Sequence, residues 1–74
     1  MTALNYCNDN ESTIIDSVLN FGQELNYENF SEAAWENYAT NAEESPEFDG
    51  EYEFDEEEFK AAAARYYEQT LKYK

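Results

Sequence analysis

Residues 54–70 read FDEEEFKAAAARYYEQT, and no other stretch of the 74-residue chain spells out a helix so completely. Asp55 is a helix-capping residue type. Glu58 stands at the third helical position, from which a carboxylate can return to the backbone of the cap, and Phe54 and Phe59 have the spacing of a hydrophobic staple. Beyond the cap, Phe59, Ala62, Ala63, Tyr66, Thr70 and Tyr73 recur at three- and four-residue intervals, so this helix turns one apolar stripe to a core. The expected fold is therefore mainly α.

Upstream, Ile14, Ile15, Val18, Leu19, Gly22 and Leu25 repeat with the same period over residues 11–25, which predicts an amphipathic helix capped by Asp9 or Asn10. A second helix is expected after Ser31, with Phe30 before that cap and Trp35 inside the helix as its staple, and with Tyr38, Ala39 and Ala42 continuing the face. Pro46 disfavours helical backbone at the residue before it, so this helix ends at or before Glu44. Asp49-Gly50, flanked by Phe48, Tyr52 and Phe54, is a turn dipeptide that closes either a short hairpin near residues 47–54 or a loop. Together these elements predict a three-helix small domain covering residues 1–74, with an acidic connection between its second and third helices.

Composition narrows the function. The chain has 18 Asp and Glu against 4 Lys and Arg, for a formal charge of −14, yet 42% of its residues are hydrophobic and 18% aromatic, which separates it from disordered polyanions. So short a chain buries only about 60% of its unfolded surface and has little room for a deep cleft. It has no histidine and one cysteine, so Cys7 lacks a partner for a disulfide, a zinc site or a nucleophilic pair; it is expected to be a small residue near the start of the fold. Paired carboxylates hydrolyse glycosides only where a cleft raises one pKa, and among this many acids some pair always falls at a suitable separation. No catalytic residue, metal ligand or cofactor is expected, and the chain does not read as an enzyme. Residues 1–20 carry no Lys, no Arg and no apolar core segment, which implies neither signal peptide nor membrane span and hence a cytoplasmic location.

The distribution of charge is more informative than its total. Lys60, Arg65, Lys72 and Lys74 all lie in the last fifteen positions, leaving residues 1–59 with 17 carboxylates and no cation. A field of one sign costs folding stability and is retained where something reads it. Its density peaks over residues 43–58, where Glu43, Glu44, Glu47, Asp49, Glu51, Glu53, Asp55, Glu56, Glu57 and Glu58 make ten of sixteen residues acidic. Because Phe48, Tyr52 and Phe54 are interleaved with these acids, the run predicts a structured face rather than a tail. Within it, Ser45, Glu47, Asp49, Gly50 and Glu56 fall on positions of the EF-hand calcium loop. Ser45 brings no anion to the first position and a proline follows it, so the loop is at most a degenerate calcium module.

Mimicry of nucleic acid fits the pattern better. On a helix, Glu28, Glu32 and Glu36 stand about 6 Å apart in rise, close to the separation of successive phosphates along a strand, and Glu24 joins them if the helix reaches that far. The 43–58 run supplies a second row. A rigid polyanion satisfies a DNA-binding cleft with no sequence readout. Residues 51–59, EYEFDEEEF, resemble the acidic run of small phage anti-CRISPR proteins, which block a CRISPR effector by occupying the site that reads target DNA. Phage antirestriction proteins agree in size and charge. The resemblance covers nine of 74 residues. It implies an interface of Asp49, Glu51, Glu53, Asp55, Glu56 and Glu57 with Tyr52 as aromatic anchor. The expected function is thus a phage or mobile-element inhibitor, active in the host cytoplasm, that blocks the nucleic-acid cleft of a basic defence nuclease such as a CRISPR effector or restriction enzyme. It should bind neither nucleic acid nor membrane directly. An immunity protein or antitoxin against a basic toxin is the alternative, and the surplus of aromatics leaves a homodimer open.

Overall fold

A computed structural model describes the backbone of residues 2–73 and the side chains of residues 2–72. Four α-helices follow in chain order, α1 (Ala3–Asp9), α2 (Glu11–Asn20), α3 (Tyr27–Glu44) and α4 (Glu56–Gln69), closed by a 3-10 turn at Leu71–Tyr73. The architecture is mainly α, with one helix more than the sequence predicts.

The additional helix is α1. Thr2 caps it, its hydroxyl accepting from the Asn5 amide at 3.1 Å, and it buries Tyr6 and Cys7. Asn10 then turns the chain into α2. It occupies the N-cap position of α2 without a side-chain capping bond; its amide instead donates to the Tyr6 carbonyl at 2.9 Å and closes the end of α1. Asp9 is the last residue of α1, so neither expected residue caps α2 through its side chain.

Two further boundaries differ from expectation. The sequence extends α2 to Leu25, but Gly22 adopts φ 72°, and its amide and that of Gln23 donate to the carbonyls of Leu19 and Val18. This paired closure over a left-handed glycine stops the helix at Asn20. Glu24 consequently lies outside any helix, and α3 starts earlier than Ser31. Its cap is Asn26, whose Oδ1 accepts from the Asn29 amide at 2.8 Å. Ser31 is buried in the second turn with its hydroxyl donating to the Glu28 carbonyl, so Phe30 and Trp35 share one helix and form no staple. At the other end α3 stops at Glu44, as Pro46 requires.

For α4 the cap and the staple stand as expected. Asp55 Oδ1 accepts from the Glu57 amide at 2.9 Å, and the Phe54 and Phe59 rings lie 5.5 Å apart. Glu58 is exposed and makes no reciprocal bond to the cap backbone. Phe59, Ala63 and Tyr66 are buried, Ala62 and Thr70 half-buried; the side chain of Tyr73 lies outside the described residues. The 45–55 connection contains no strand, and the hairpin is replaced by a loop that turns at Gly50 with φ 96°.

The long helices α3 and α4 pack along each other, with α1 and α2 covering the seam. Tyr38 stands at its centre, with ring centroids 5.1 Å from Phe59, 5.3 Å from Phe54, 5.5 Å from Trp35 and 5.6 Å from Tyr6. Such offset and edge-on contacts add to the burial term. Tyr66 carries the seam to the first two helices: its hydroxyl donates to Glu11 at 2.7 Å, and burial followed by that carboxylate raises its pKa to about 12.

Truncating Phe59, which is fully buried at this seam, should cost about 3–5 kcal/mol. A domain of this size has only about 4–11 kcal/mol in total. Phe59→Ala is therefore expected to lower Tm by at least about 15 °C or to abolish the cooperative transition in circular dichroism. A shift under about 5 °C would mean that the ring contributes little to the core.

Candidate functional site

The acidic residues singled out in the sequence fall into two groups. Glu28, Glu32, Glu36 and Glu43 are all exposed on α3, and at 100° per residue they lie within about 80° of one another. They form a stripe about 22 Å long. The remaining acids belong to the end of α3, the loop, and the cap and first turn of α4. Glu47, Asp49, Glu51 and Glu53 line one shallow cleft of about 370 Å³ floored by Tyr38 and Phe48. Glu44 is exposed at the end of α3, and Asp55, Glu56, Glu57 and Glu58 surround the start of α4. Carboxylates at a helix N-terminus interact favourably with its dipole, which offsets part of their mutual repulsion.

The loop keeps its shape through aromatic side chains. Tyr52 packs edge-on against Trp35, with centroids 5.2 Å apart, lies 5.4 Å from Phe48, and donates its hydroxyl to Glu43 Oε1 at 2.7 Å. That bond, then desolvation, then the charges of Glu43 and Glu56, raise the Tyr52 pKa above its ordinary value. Tyr52 thus joins the end of the α3 stripe to the loop. The Glu53 amide donates to the Tyr38 hydroxyl at 2.9 Å, and Asp49 Oδ1 accepts from the Glu51 amide at 3.1 Å. Backbone groups of a connection with little regular structure are in this way bonded to α3 and to the loop itself.

One cation enters this field. Lys60 pairs with Glu56 at 2.9 Å, and that bond, with the charges of Glu56, Glu32 and Glu36, raises its pKa. The ammonium therefore lies where the α3 stripe and the start of α4 approach each other. An exposed i,i+4 pair of this kind contributes only about 0.3–0.5 kcal/mol.

Ser45, Glu47, Asp49, Gly50 and Glu56 lie between α3 and α4, but among the described residues no group of three or more Asp, Glu, Cys or His converges as metal ligands. Asp49 is turned to the Glu51 amide instead. Cys7 is fully buried, and burial raises its thiol pKa to about 11, far from nucleophilic use.

Several residues that shape this surface escape the sequence reading. The tyrosine hydroxyl that receives the Glu53 amide is one. The buried hydroxyl of Tyr6, which donates to Asn37 Oδ1 and accepts from Asn41 Nδ2, is another. A third is Phe21, which with Glu32 and Glu36 borders a groove of about 560 Å³ between α2 and α3. None of the described helices is long and apolar enough to cross a membrane. No family model, curated protein or solved structure matches the chain.

The loop acids are held by the core at a cost in repulsion, so removing their charge while keeping their shape should stabilise the protein. Asn at position 49 preserves the acceptor for the Glu51 amide. The variant D49N/E51Q/E53Q is expected to melt a few degrees above the parent in low salt. The gap should close near 1 M salt, where the screening length falls to about 3 Å. A lower melting temperature in low salt would make these carboxylates structural.

Proposed function

We propose that the chain is a DNA-mimic inhibitor from a phage or mobile element, which occupies the nucleic-acid cleft of a basic host nuclease such as a CRISPR effector or restriction enzyme. What supports this is the continuity of one-sign charge along the α3 stripe and through Tyr52 into the 47–58 loop and cap. Lysines and arginines that line a DNA cleft find carboxylates in place of phosphates. The ordered loop avoids the entropy cost that a disordered polyanion incurs on docking.

Carboxylates are acceptors only, as phosphate oxygens are, and fork-shaped arginines bind both in bidentate fashion. Glu47, Asp49, Glu51, Glu53, Asp55, Glu56 and Glu57 face such a cleft from the loop and the start of α4, and Glu28, Glu32, Glu36, Glu43 and Glu44 from α3. Tyr52 remains partly exposed among them and adds an aromatic edge to an otherwise ionic interface.

The deciding experiment is a mobility-shift titration of candidate nucleases on their DNA. The protein is expected to abolish the nuclease shift, to cause none alone, and to lose potency as salt rises, because charge-steered association weakens with ionic strength. Inhibition with nuclease still bound to DNA would instead place the contact beside the cleft, as an immunity protein's would be. A direct shift of DNA by this chain would end the mimicry reading.

A further inference from the structure

The groove between α2 and α3 differs in chemistry from the loop. Ser17, Phe21 and Gln23 border it from α2 and the turn after it, and Glu32 and Glu36 from α3. Phe21 is 78% exposed, the most exposed of the large hydrophobic residues among those described. The closure over Gly22 fixes this corner, so the ring is presented by an ordered turn. Its volume of about 560 Å³ lies within the range of sites that take small organic groups, about 300–1,000 Å³.

The geometry points to this groove as the docking site for an arginine side chain of the basic partner, its guanidinium stacked on Phe21 and bonded to Glu32 and Glu36. Charge complementarity selects the occupant: among the described residues no basic one lines the groove, Lys60 feels the charges of Glu32 and Glu36 while its ion pair is with Glu56, and a second copy carrying −14 of its own is repelled. Arginine is favoured over lysine because a planar guanidinium stacks on an aromatic face while its fork satisfies carboxylates, whereas a compact ammonium ion does not stack. A phosphate-reading arginine in a DNA cleft meets its substitute at Glu32 and Glu36, and the ring adds a contact that DNA phosphate lacks. The inference rests on the partner being a basic protein.

Tri-arginine and tri-lysine, equal in charge, are the probes, titrated into the isotopically labelled full chain in low salt and followed by two-dimensional NMR. Tri-arginine is expected to shift the resonances of Phe21, Glu32 and Glu36 and to bind more tightly than tri-lysine. Phe21→Ala should weaken tri-arginine about three-fold and tri-lysine by less, because only the guanidinium adds planar stacking to the charge attraction. The exposure of Phe21 predicts that this variant keeps the parent melting temperature, and E32Q/E36Q should weaken both peptides at the groove. Equal binding of the two peptides, or no effect of Phe21→Ala, would overturn the inference. Shifts confined to residues 43–58 would overturn the groove alone and leave the decoy surface standing. Absence of binding by either peptide would count against both.

Discussion

Carboxylates of like charge stay together on a small protein only where apolar packing behind them outweighs their repulsion, and in this chain that packing converges on Tyr38. Its ring touches Phe59 of α4, Phe54 before the α4 cap, Trp35 of α3 and Tyr6 of α1, and its hydroxyl accepts the amide of Glu53. One side chain therefore anchors the core, the helix pair and the acidic loop at once. Without that anchor the connection from α3 to α4 would be a charged segment with little regular structure, and such segments do not hold a shape.

The division of labour follows from size. A 74-residue chain has little stability to spare, and here it is concentrated in a seam of aromatic rings. Rings bury much area with few rotatable bonds, so a narrow core of Phe30, Tyr38, Phe59 and Tyr66 orders two long helices. Those helices then carry much of the charge on their outer faces.

What the sequence disclosed depended on whether the signal was local. The cap at Asp55, the Phe54–Phe59 staple and the stop before Pro46 are written in neighbouring residues, and all were legible. The start of α3 was not, because Asn26 and Ser31 are both capping residue types. The choice between them is made by burial of Phe30 within the helix rather than ahead of it. Helix α1 has barely two turns, too few for a periodic stripe, and is recognised only once Tyr6 and Cys7 are seen against α4. Gly22 fell on the expected apolar face, while its positive φ made it the end of α2. The bond from the Glu53 amide to Tyr38 spans fifteen residues and has no sequence signature.

The central claim is that the acidic loop is a preorganised surface held by the aromatic core. Hydrogen exchange of the backbone amides of residues 47–53 in low salt tests it most directly, with the parent compared with Tyr38→Phe. The account predicts that the Glu53 amide of the parent exchanges far more slowly than an unstructured peptide, and that the loss of one hydroxyl oxygen speeds it while the helices stay protected. Exchange of the whole loop at unstructured rates in the parent, with α3 and α4 still protected, would contradict it and leave the acids as a solvated tail on a helical core.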